Sequence, residues 1–107
     1  MLISASHAFQ QHLRDIYISV QGEIMEILPN EYIGVKHQRF IIQTKDKQSI
    51  LILYNISNNI SLNIKLGDKV AVDGTYVYNR YGGLIHETHS NINKDQPDGK
   101  IELLKSI

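Results

Sequence analysis

The chain has 107 residues, no cysteine, and 11 basic against 11 acidic side chains. That length fits one domain, residues 1–107, with a core of its own and no need of staples. The missing cysteine excludes disulfides, thiol nucleophiles, iron–sulfur clusters and cysteine-held zinc, so a metal would have to be held by His, Asp or Glu. Neutrality argues against bulk, salt-driven nucleic-acid binding but leaves room for a local basic patch. No apolar run is long enough to span a membrane. Residues 1–7 lack the basic start and apolar stretch of a secretion signal, so a cytoplasmic location is expected.

In chain order, Ser4 or Ser6 caps a helix over about residues 4–14, where Ala5, Phe9 and Leu13 recur at four-residue spacing. Its single narrow apolar stripe makes it an appendage to a larger body. Strand patterning then takes over. Ile16, Ile18, Val20 and Ile24 alternate with Tyr17, Ser19, Gln21 and Glu23, and after Gly22 the phase slips to Met25 and Ile27. A glycine followed by a phase slip predicts a bulge or sharp coil in a long first strand, which a small closed barrel requires. Pro29 and Asn30 mark a turn. A second strand covers 37–44, a polar hairpin 45–47, and a third strand 49–54 that is apolar on both faces and therefore central. Residues 55–63, rich in Asn and Ser, form a loop or one helical turn. Residues 66–78 are the clearest strand, 79–83 a hairpin loop, 84–88 a fifth strand and 100–104 a short sixth. The expected fold is all-β in the main: a small OB-like five-stranded Greek-key barrel over about 15–104 with a short N-terminal helix.

Chemistry concentrates in a few positions. His37 opens the second strand, and His86 and His89 close the fifth; His7 and His12 fall on the helix and are expected to be solvated. Residues three apart on a continuing strand face opposite ways, so His86 and His89 can share an ion only if the strand breaks at Glu87 or Thr88. With His37 they would then make a three-histidine divalent metal site, with Glu87 or Asp95 as carboxylate ligand or base. The alternative is a set of polar rim residues bonded to backbone. Separately, Tyr54, Tyr76, Tyr78 and Tyr81 lie in or near the third and fourth strands, and Lys36, Arg39, Lys45 and Lys47 surround the second. Aromatics beside cations suit an oligonucleotide-binding face, although Tyr76 and Tyr78 share parity with Val70 and Val72 and would then be core. Asp15, Glu23, Glu26 and Glu31 offset the cations. No phosphate loop and no nucleophile elbow is present.

The blocks His37-Gln38-Arg39-Phe40-Ile41, Asn55-Ile56, Gly67-Asp68-Lys69-Val70 with Gly74 and Tyr76, and Gly82-Gly83 with His86, Thr88 and His89 resemble the bacterial family called domain of unknown function 3465. The resemblance runs from about residue 22 to residue 99. Three positions depart from the family pattern: Tyr54 replaces a histidine, Glu87 a tryptophan and Asn91 an aspartate. These losses weaken a catalytic reading more than a binding one. The resemblance implies a fold and a residue set but no reaction.

The leading expectation is a binding module for an oligonucleotide or other small anionic partner, using Lys36, His37, Arg39, Tyr54, Asn55, His86 and His89. One rival is a metal-dependent hydrolase, most plausibly a phosphodiesterase, on His37, His86 and His89 with a divalent ion. Another is a protein–protein inhibitor or accessory factor of a mobile element. The informative residues collect where the second and fifth strands are expected to approach each other, at the His37–His86–His89 corner; no residue points specifically to the accessory-factor reading.

Overall fold

The computed structural model describes residues 3–57, 60–89 and 98–104. Helix α1 is Ala5–Gln10, and Ser4 caps it by accepting the His7 N–H at 3.1 Å. It is shorter than its apolar spacing suggests. Gln11 and His12 turn away, His12 at φ 53, and the Leu13 N–H returns to the Ala8 carbonyl at 2.9 Å. Ala5 and Ala8 are buried in the core. His12 lies past the helix and stacks on Tyr78 with centroids 4.1 Å apart.

Six strands follow: β1 Arg14–Glu31, β2 His37–Gln43, β3 Ser49–Asn55, β4 Lys69–Val77, β5 Leu84–His86 and β6 Lys100–Leu104. The first five form a ring in the order β1-β2-β3-β5-β4, closed by β4 on β1. The β3–β5 pair is parallel and the other pairings are antiparallel. This is the strand order of an OB-like barrel. β5 uses residues 75–77 of β4 and β6 uses residues 69–73, so the sixth strand occupies the stretch of that edge that β5 leaves open.

One long strand can serve two neighbours because it bends. β1 pairs with β4 from Arg14 to Glu23 and with β2 from Glu23 to Glu31. Gly22 sits at the change of partner, where a Cβ would stand 2.8 Å from the Gln43 carbonyl oxygen. The phase slip after it is a bulge at Met25, between the pairs Ile24↔Ile42 and Glu26↔Ile41. The core is the inward set that alternation selects: Ile18 and Ile24, Phe40 and Ile42, Ile50 and Ile52, Val70, Val72 and Tyr76, and Ile85. β3 lies between β2 and β5, the central position expected for it.

Both mouths of the ring are plugged by hydrogen-bonded side chains. At one, buried Gln38 donates to the Leu62 carbonyl at 2.9 Å and accepts the Leu62 N–H at 2.8 Å, drawing the loop after β3 across the opening. Residues 60–65 of that loop are irregular and contain no helical turn. At the other mouth, Gln48 donates to the carbonyls of Ala5 and Gly82, and the Tyr76 hydroxyl donates to Gly82 at 2.9 Å. Gly83, at φ 96, lies on the Tyr76 ring, where a Cβ would come 2.2 Å from the phenol oxygen.

Candidate ligand-binding face

Alternation that sends Gln38, Phe40 and Ile42 inward sends His37, Arg39, Ile41 and Gln43 outward. The same parity on β3 places Leu51, Leu53 and Asn55 outside, and on β5 Leu84 and His86. The registers align these residues in rows. Ile41, Leu51, Leu84 and Val77 form one; Arg39 stands opposite Leu53, and His86 opposite Thr75; His37 stands opposite Asn55. The outer surface of β2, β3 and β5 is thus an aliphatic floor with a polar margin. Lys36 extends that margin into the loop before β2. Its N–H donates to the Ser57 hydroxyl at 2.9 Å and its carbonyl accepts the Ile56 N–H at 2.8 Å, so the loop is pinned beside the end of β3.

The two loops that flank the face carry aromatic and cationic pairs. The Lys36 ammonium lies 6.0 Å from the centroid of exposed Tyr32. Across the face, the Arg80 guanidinium lies 5.0 Å from the centroid of exposed Tyr81 and donates to its hydroxyl at 2.8 Å. Asn79 holds that loop by accepting from the N–H groups of Tyr81 and Gly83 at 2.9 and 3.0 Å.

On the face itself, Arg39 Nε donates to the Pro29 carbonyl at 3.0 Å, which fixes its root against the bulged exit of β1. Two histidines each stand beside a carboxylate. His37 Nδ1 is 3.6 Å from Glu31, and His86 Nδ1 is 3.7 Å from Glu87. His37 Nδ1 and His86 Nε2 are both shielded from solvent and accept or donate no hydrogen bond. Asn55 accepts the Ser57 N–H at 2.8 Å and so orders the turn after β3.

Not all the expected residues meet there. Tyr54 pairs with Gln38 and shares the inward parity of Ile50 and Ile52, so it belongs to the barrel mouth rather than the outer face. Tyr76 is wholly buried and Tyr78 packs on the core, as their parity with Val70 and Val72 suggested. The fifth strand does break after His86, with Glu87 at φ 54, but the break serves Thr88. That side chain turns inward, fully buried, and donates to the Leu53 carbonyl at 2.8 Å. His89 follows half-buried, its carbonyl accepting the Gly99 N–H at 2.8 Å. β2 and β5 are not neighbours, because β3 separates them. His37 and His86 therefore stand two strands apart, roughly 10 Å across the sheet. Among the described residues no three His, Cys, Asp or Glu side chains are placed to hold a metal ion, so the His37–His86–His89 centre is not assembled. Asp95, the other carboxylate considered, and Asn91 lie outside the described residues.

Several residues of the family blocks are structural. Gln38 is the loop clamp, Gly67 at φ 88 and Asp68 form the turn into β4, Gly82 and Gly83 seat the loop on Tyr76, and Thr88 ties β5 to β3. His37, Arg39 and His86 remain on the outer surface. The arrangement as a whole is a closed, OB-like ring of five strands with a polar and aliphatic outer face between two loops. The chain matches the model of the family described as protein of unknown function (DUF3465) over residues 3–106, and it belongs to that family. No curated protein and no solved structure matches it.

Proposed function

We propose that the protein is a binding module that holds a single-stranded oligonucleotide, or another small anionic partner, on the outer surface of β2, β3 and β5. One observation carries the reading. His37, Arg39 and His86 share that face, and the two loops bordering it present the Tyr32–Lys36 and Tyr81–Arg80 pairs. OB-like barrels use this surface and the loops joining strands one to two and four to five. Bases would rest on Tyr32, Tyr81 and the Leu51–Leu53 floor, and phosphates would meet Lys36, Arg39 and Arg80. His37 and His86 would add polar contacts at the margin of that surface. The neutral chain makes the expected affinity modest and the ligand short, since few phosphates can be neutralised.

Fluorescence anisotropy with labelled single-stranded oligonucleotides tests this, read between about 50 and 200 mM salt. The expected result is low-salt binding that weakens as salt rises, with Arg39→Gln lowering the salt slope by about one. Failure of every single-stranded sequence to bind at low salt would remove the nucleic-acid reading. A protein partner is the second reading. It is favoured by the row Ile41, Leu51, Leu84 and Val77, a half-buried aliphatic stripe on the outer surface.

A further inference from the structure

A second charged feature lies at the opposite end of β2 from His37, where the β2–β3 hairpin meets the junction of β1, β4 and β6. An open groove of about 390 Å³ is lined there by Gln21, Glu23, Gln43, Lys45, Lys47 and Lys69, among others. Its size falls within the ~300–1,000 Å³ typical of small-ligand sites. Three of its lining residues are lysines, drawn from two elements far apart in sequence, against the single carboxylate of Glu23. In a chain with 11 cations and 11 anions this is a marked local excess.

Among the described residues the excess is not neutralised. Glu23 and Lys69 are direct cross-strand partners, yet no ion pair forms between them, and among the described residues Lys45 and Lys47 have none either. The nearby Asp46 is engaged by the Thr44 hydroxyl and lines an adjoining hollow with Ser4, Ser6 and Val20. The hairpin is also fixed in place. Thr44 N–H bonds the Gln48 carbonyl at 2.9 Å, and Lys47 N–H bonds the Thr44 carbonyl at 2.9 Å. Lys47 is held at φ 69, a left-handed conformation that glycine or asparagine adopts more easily. A lysine at such a position is an outlier that calls for a reason.

We infer that this groove binds a phosphate chain, with Lys45, Lys47 and Lys69 meeting its oxygens and the Gln21 and Gln43 amides adding neutral hydrogen bonds. Three ammonium groups around one carboxylate suit a ligand carrying several negative charges better than a single phosphate. Inorganic triphosphate and the tail of a nucleoside triphosphate share this chemistry. The adjoining hollow, which shares Gln21, Thr44 and Lys45 with the groove, offers room for a nucleoside. This site is independent of the outer-face reading, and neither depends on the other.

Isothermal titration with sodium triphosphate at low salt, together with amide chemical-shift mapping, tests the inference. Binding is expected, with shifts at 21–23, 43–47 and 69. Lys69→Gln is expected to weaken it about threefold to tenfold, and Lys100→Gln, a distant cation on β6, to leave it unchanged. Lys47→Gly is the most informative variant, because it relieves the backbone while removing the ammonium. Weaker binding in a protein at least as stable as wild type supports a ligand role, and undiminished binding overturns it. Tighter binding of ATP, with shifts spreading to Ser4, Ser6 and Val20, would identify a nucleotide; equal affinity would identify the inorganic chain. No binding of triphosphate, or shifts confined to the outer face, would overturn the inference.

Discussion

Gln38 gives the sharpest test of how the barrel is closed. Its side chain is buried and makes two hydrogen bonds to the same residue, donating to the Leu62 carbonyl and accepting the Leu62 N–H. Gln38→Met keeps most of the volume and removes both bonds. A neutral hydrogen bond contributes about 1 kcal/mol net, and a buried group left without a partner costs about 1–3 kcal/mol. Leu62 is only half-buried, so water reaches its freed groups in part. The expected loss is therefore about 2 kcal/mol for the pair, a fall in Tm of roughly 8–16 °C. Urea unfolding followed by circular dichroism measures it. Gln38→Glu adds a directional check. One oxygen still accepts the Leu62 N–H, but the other faces the Leu62 carbonyl and fits only when protonated. The folded state then holds that proton more tightly than the unfolded chain, whose carboxyl titrates near 4.3. A raised folded value means stability is full below about pH 4.3 and falls as pH rises through the folded value. A loss under about 0.5 kcal/mol for Gln38→Met, within the range of ordinary surface substitutions, would show that the clamp does not hold the loop.

Other outcomes follow from the opposite mouth. Burial, with a smaller contribution from neighbouring Tyr78, pushes the Tyr76 phenol up to about 12. Stability should therefore decline as pH rises from 10.0 towards about 12, because the unfolded chain ionises first; Tyr76→Phe should cost about 1 kcal/mol and flatten that decline. Gly83→Ala should destabilise by about 3 kcal/mol or more, since its Cβ would strike the Tyr76 ring and its φ is 96; a thermal melt within a degree or two of wild type would contradict this.

Much of the fold was legible in local pattern. The slip after Gly22 announced the bulge at Met25, and the two-faced apolar run at 49–54 announced a strand with neighbours on both sides. Parity also held a signal that was not used, for Tyr54 alternates with Ile50 and Ile52 and so points inward. The remainder depended on long-range pairing, which no local pattern encodes. Nothing near Gln38 names Leu62 as its partner, and nothing near His86 says that β3 separates it from β2. The three-histidine centre failed for that reason. The strand was expected to run on to Thr88 but breaks at Glu87, and the break buries Thr88 instead of turning His89 toward His86 and His37.

The central claim is that an anionic strand binds the outer surface of β2, β3 and β5. Amide chemical-shift mapping during titration with a short single-stranded oligonucleotide tests it most directly. Shifts clustered at 36–39, 51–55 and 80–86 are expected. Saturable binding whose shifts lie only at the 45–47 hairpin and Lys69, or no shift at low salt, would contradict it.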